Sequence, residues 1–181
     1  MLNQKIKNSD LNRKTVQENL HAAKLNITVI LDNVRSAQNV GSIFRTSDAF
    51  NVDKIYLCGI TATPPNKEIF KTALGATESV KWEHYENINS LVEILKSDNH
   101  KVISIEQTAN AQMLDEVSFE LKEKYAFVFG NEVDGVSQTV INNSNGVIEI
   151  PQFGSKHSLN ISVSAGVILW EAAKQLTANR Q

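Results

Sequence analysis

The chain has one cysteine in 181 residues, Cys58, set inside the apolar run Ile55-Tyr56-Leu57-Cys58. A single thiol excludes a disulfide framework, and this setting reads as a small buried hydrophobe rather than a nucleophile. Proline is nearly as scarce at three residues, and two of them, Pro64-Pro65, stand together and mark one stiff, non-helical loop. Long hydrophobic runs are missing too: nothing approaches the roughly 18 apolar residues of a membrane span, and Met1-Leu2-Asn3-Gln4-Lys5 lacks the apolar stretch of a signal peptide. A cytoplasmic protein without membrane contact is therefore expected. The four histidines, His21, His84, His100 and His157, are scattered without ligand spacing, so no metal site is expected. No P-loop, no Gly-x-Gly-x-x-Gly and no nucleophile-elbow context occurs, which removes support for NTP binding, dinucleotide binding and serine hydrolysis.

What is present fits one domain with an ordinary core. Its hydrophobic content is 41% and its formal net charge is -2, which argues against indiscriminate affinity for nucleic acid. The first thirty residues differ, carrying Lys5, Lys7, Arg13, Lys14 and Lys24 against Asp10 and Glu18. This basic arm, residues 1–24, is read as a helical extension able to track phosphates, followed by the main domain over 25–181.

Periodicity places the elements. Leu11, Val16, Leu20 and Ala23 predict a helix over 10–24 with Ser9 or Asp10 as cap. Ile27-Thr28-Val29-Ile30-Leu31 reads as a strand, and Val40, Ile43 and Phe44 recur at helical spacing after it. Further strands are expected at 54–59, near 80–82, and at 101–105, 125–130 and 147–150. Helices are expected over 68–74, through Leu91 to Leu95, near Leu114, over 138–141 capped by Ser137, and over 161–176. Alternation of this kind predicts an α/β fold, a mostly parallel sheet flanked by helices.

Three loops follow strands and open helices, where α/β proteins place ligands. In the first, Asn39 and Gly41 stand near a helix start whose backbone N–H groups suit an anion, and Arg45 follows two turns in. Its guanidinium is a permanent charge with a donor fork suited to phosphate. In the second, Gly130 and Gly135 bracket Asn131-Glu132-Val133-Asp134, with Glu132 at the lip. The third runs from Ile150-Pro151 to Gly166 and gathers Ser158, Asn160, Ser162 and Ser164, more hydroxyl and amide groups than capping needs.

Taken together, Asn39-Val40-Gly41-Ser42-Ile43-Phe44-Arg45-Thr46, Phe129-Gly130-Asn131-Glu132-Val133-Asp134-Gly135-Val136 and Ile150-Pro151 through Ser158-Leu159-Asn160-Ile161-Ser162 resemble the three motifs of the SpoU (TrmH-type) family in the SPOUT superfamily. Its members are S-adenosylmethionine-dependent RNA 2′-O-ribose methyltransferases. Lys71-Thr72-Ala73-Leu74-Gly75-Ala76 is also similar to a segment of that family. The resemblance implies a C-terminal deep trefoil knot that forms the cofactor pocket. It also implies that S-adenosylmethionine is held around Glu106, Gly130, Ile150, Ser158 and Leu159. It further implies a homodimer in which the partner completes the site, paired through the C-terminal and Arg45 helices, with tRNA or rRNA as substrate. Catalytic roles would fall to Arg45, Asn39, Glu132, Ser158 and Asn160, with Arg45 clamping a phosphate and stabilising the forming alkoxide rather than acting as a base. Lys156 reads as a phosphate contact, and His157 as loop surface, an RNA contact or a proton acceptor. A non-catalytic RNA-binding protein and a base-nitrogen methyltransferase are the competing readings.

Overall fold

The computed structural model describes residues 3–7 and 10–178. Among these residues seven strands form one sheet: β1 (Leu25–Asp32), β2 (Val52–Cys58), β3 (Lys81–Tyr85), β4 (His100–Ile105), β5 (Gln112–Met113), β6 (Lys124–Phe129) and β7 (Gly146–Glu149). Their order is β3-β2-β1-β6-β4-β7-β5, and every strand pair is parallel. The sheet is thus wholly rather than mostly parallel. The chain builds outward from β1 through β2 to β3, then crosses to β4 on the far side, so the direction of winding reverses near the centre. Ligands of open α/β sheets gather outside the strand carboxyl ends at such a reversal.

Parallel strands covered on both faces need apolar residues at successive positions, and β1 and β6 supply them. Ile27, Val29 and Leu31 join Tyr125, Phe127 and Phe129 in one core cluster with Ile43, Phe44, Ile69, Ile168 and Leu169. These come from α2 (Ala37–Ala49), α3 (Lys67–Ala73) and α7 (Ile161–Ala178). Ile30, Ala126 and Val128 face the other way, against Leu91, Val92, Leu95 and Val140 from α5 (Ile88–Ser97) and α6 (Gln138–Asn143). Each such large side chain contributes about 1.5–3 kcal/mol on burial.

Two short elements escape the periodicity, α4 (Ala76–Ser79) and the two-residue β5; the helical piece near Leu114 is a 3-10 turn, Leu114–Glu116. The N-terminal helix is a correction: α1 covers only Val16–His21, not 10–24. Thr15 accepts from the Glu18 backbone N–H at 3.2 Å while the Glu18 carboxylate accepts from the Thr15 N–H at 2.7 Å. This capping box starts the helix at Thr15, and upstream Asn12 has a left-handed φ of 47°. Asp10 is therefore not the cap, and Ser9 lies outside the described residues. Ser137 does sit at the N-cap of α6 but makes no side-chain cap bond; its hydroxyl pairs with Thr139 instead, at 3.2 Å.

Candidate active site

The carboxyl ends of β6, β4 and β7 open into a cleft of about 630 Å³. Glu106, Gly130, Ile150, Ser158 and Leu159, the five residues expected to hold the cofactor, all line it, as do Glu132, Asn160 and Ser164. Gly130 is required by proximity. A Cβ there would stand 1.9 Å from the Gly135 carbonyl carbon and 2.1 Å from the Val136 nitrogen, so any side chain forces the turn open. Glu106 secures the same turn from β4, accepting from the Val136 N–H at 2.9 Å and the Gln107 N–H at 2.8 Å.

Glu132 joins the first motif to the second. Its carboxylate accepts from the backbone N–H groups of Arg35 and Ser36, each at 3.1 Å, and from the Asn39 amide at 3.0 Å. The start of α2 does attract an anion, as its geometry predicts, but the anion is the protein's own carboxylate. Ser36 supplies the cap, accepting from the Asn39 N–H at 3.3 Å, and Gly41 serves packing, since a Cβ there would stand 2.1 Å from the Thr72 hydroxyl. Partial desolvation at the cleft wall raises the pKa of Glu132, a largely exposed group, yet the donated hydrogen bonds from Arg35, Asn39 and Ser36 outweigh it and leave the group below the ordinary carboxylate range.

Asn39 carries the connection on to the third motif. Its Oδ1 accepts from the Asn160 amide at 3.2 Å, and Asn160 Oδ1 accepts from the Ser162 N–H at 2.9 Å and its hydroxyl at 2.7 Å. Ser162 is thus spent at the start of α7, while Ser158 and Ser164 face the cleft. Arg45 is elsewhere. It is exposed and lines a second hollow with Arg13, Lys14, Asp48 and Glu78. Six residues along a helix separate it from Asn39 by roughly 9 Å and turn it to another face.

The charges are sorted between these places. Among the described residues the cleft lining contains Glu106, Glu132, Asp134 and Glu149 and no lysine or arginine, whereas Arg13, Lys14 and Arg45 meet beside Asp48 and Glu78 in the second hollow. Two supporting residues carry no motif signal. Thr61, buried, donates to the Leu31 carbonyl and accepts from the Val34 N–H, fixing the turn out of β1. Asp32, also buried, accepts from Asn33 at 2.7 Å and faces the Ser137 backbone behind the second motif; burial raises its pKa. A carboxylate ending an apolar strand was the one available clue to it.

Comparison with known proteins places this arrangement. An uncharacterised tRNA/rRNA methyltransferase of Borreliella burgdorferi is 31% identical over 148 residues, covering 82% of this chain and 64% of that protein. The chain thus spans under two thirds of that relative's length. A tRNA (guanosine(18)-2′-O)-methyltransferase of Thermus thermophilus is 30% identical over 167 residues, covering 92% of this chain and 84% of that one. The crystal structure of a TrmH/SpoU tRNA modifying enzyme from Aquifex aeolicus superposes with a TM-score of 0.81 at 27% identity, covering 91% of this chain and 82% of that one. Residues 26–170 match the profile of the SpoU rRNA Methylase family, and the chain belongs to that family.

Proposed function

We propose that the protein methylates a ribose 2′-hydroxyl of tRNA or rRNA with S-adenosylmethionine as donor. The observation that carries this reading is the relay Glu132–Asn39–Asn160, which binds three loops far apart in sequence into one wall beside the cleft. The cleft suits this cofactor. Backbone from three strand ends, apolar Phe129, Leu159 and Ile161, and four carboxylates with no cation line it, and the donor carries a sulfonium and an ammonium. Once bound, it supplies an activated methyl group with its own leaving group.

The protein's own residues then position and polarise the RNA. Arg45 clamps the adjacent phosphate and stabilises negative charge as the hydroxyl loses its proton to water, since a guanidinium with a pKa above about 12 is a poor base. Asn39, held by Glu132 and Asn160, orients the ribose, and Ser158 hydrogen-bonds within the cleft. Because Arg45 does not line the cleft of its own chain, a second copy supplies it, and the active unit is a homodimer. Val163 and Trp170, one heptad apart on α7 and each at least half exposed, support pairing through α7 and α2. Arg13 and Lys14 extend the phosphate-binding surface beside Arg45.

The fold is further read as a trefoil knot. In support, β7 lies between β4 and β5, so the connection over 106–111 crosses the end of β7, and Gln107 in that connection donates to the His157 carbonyl at 3.1 Å in the segment after β7. Among the described residues no helix is long and apolar enough to cross a membrane, consistent with cytoplasmic RNA as substrate. Purified protein, labelled S-adenosylmethionine and separate pools of unmodified tRNA and rRNA should yield a 2′-O-methylnucleoside by mass spectrometry. A methylated base, or no transfer to either pool, would refute the assignment.

A further inference from the structure

The segment between β7 and α7 contains the most exposed apolar side chain among the described residues, Phe153, which is 98% accessible. The loop around it is shaped to present that ring. Every residue from Phe153 to Asn160 is exposed, and the far end is fastened, by Gln107 at the His157 carbonyl and by Asn39 at the Asn160 amide. Ser158, Leu159 and Asn160 belong to the cleft wall. Phe153 directly follows Gln152, which also lines the cleft, so the ring stands beside the cleft mouth rather than on a remote surface.

Charge decides what such a rim can receive. Residues 150–160 include Lys156 and His157 and no carboxylate, directly above a cleft lined by four carboxylates. An RNA backbone is repelled from the cleft interior and accepted at its lip. A bare aromatic ring beside a lysine is the pairing by which proteins hold an unstacked nucleotide, with the ring against the base and the ammonium at the phosphate.

We infer that Phe153 is a stacking platform for a base at or next to the methylated nucleotide, with Lys156 contacting its phosphate. This rests on the RNA methyltransferase reading above. It makes Phe153 a positioning residue that sets RNA affinity without touching the transferred methyl group.

The test compares Phe153→Ala, Phe153→Leu and Phe153→Trp in the full chain. Filter binding without cofactor, to whichever unmodified tRNA or rRNA pool the wild type methylates, should show about tenfold weaker binding for the alanine and leucine variants, the scale of base–aromatic stacking. KM for RNA should rise to match with kcat within about twofold, and the tryptophan variant should bind like wild type. Lys156→Gln should lower the slope of log affinity against log salt by about one. Cofactor affinity by calorimetry and molecular mass by light scattering should not change. RNA affinity within twofold of wild type for both alanine and leucine would overturn the proposal. So would a loss of mass in the alanine variant, which would make Phe153 a contact between copies. A wild type that methylates no RNA would fail the underlying activity; in that case binding to unmodified total tRNA still tests the ring.

Discussion

A carboxylate that accepts two backbone N–H groups and an amide, as Glu132 does from Arg35, Ser36 and Asn39, is ionised at neutral pH and fixes the start of α2. Glu132→Gln keeps one acceptor oxygen and turns an amide toward donors. It should cost about 1 kcal/mol of stability, a modest loss because the group is exposed, and lower kcat more than tenfold. Urea unfolding and single-turnover transfer check both, and unaltered turnover would remove Glu132 from the relay's function. Arg45→Ala should lower kcat at least a hundredfold, the scale of one removed oxyanion donor, and leave cofactor affinity intact, because the arginine brought by the partner is placed on the RNA and not on the cofactor. Equal losses in calorimetric cofactor binding would contradict that placement. Asp32 behaves in the opposite sense to Glu132 with pH. Burial raises its folded pKa above the ordinary 3.8, so the folded state holds the proton more tightly than the unfolded one. Stability therefore falls as pH rises from 3.8 through the raised value, and the penalty is absent below 3.8. Asp32→Asn should flatten that part of the stability–pH curve, and an unchanged slope would show that the folded carboxyl titrates normally.

At the scale of elements, the turn from Gly130 to Val136 controls the cleft. Gly130→Ala sets a methyl group against the backbone of Gly135 and Val136, which cannot yield as a flexible side chain would. A loss of about 1–3 kcal/mol is expected from overpacking, with cofactor affinity down more than tenfold; thermal unfolding and calorimetry measure the two, and wild-type affinity would show that the turn tolerates opening. β1 and β6 are legible in the sequence as continuous apolar runs because both of their faces are buried, and α7 because burial of one face imposes a helical period. Boundaries set by single hydrogen bonds are less so. The apolar spacing of residues 11–23 suggests one long helix, yet the capping box at Thr15 begins it later, and β5 is a strand only because β7 lies beside it.

For the whole molecule, the separation of Arg45 from the cleft leads to a mixing experiment. Arg45→Ala and Gly130→Ala proteins, each impaired alone when the cofactor is kept well below the dissociation constant of the Gly130→Ala protein, should regain activity when refolded together, because one site in the mixed dimer combines an intact cleft with an intact arginine. Random pairing gives about a quarter of wild-type activity, and no recovery would mean that each chain uses its own arginine. The sequence alone determined the α/β alternation and the three loops with their chemistry through local patterning, and through the family resemblance its motifs carry it pointed to the cleft residues Glu106, Gly130, Ile150, Ser158 and Leu159. It could not assign partners. That the helix start at α2 is filled by Glu132, that Asn39 bridges to Asn160, and that Arg45 stands with Arg13 and Lys14 are contacts across 97, 121 and 32 residues of chain or fewer. Only the stacking of the parallel strands, which brings distant carboxyl ends to one edge, decides which groups meet there.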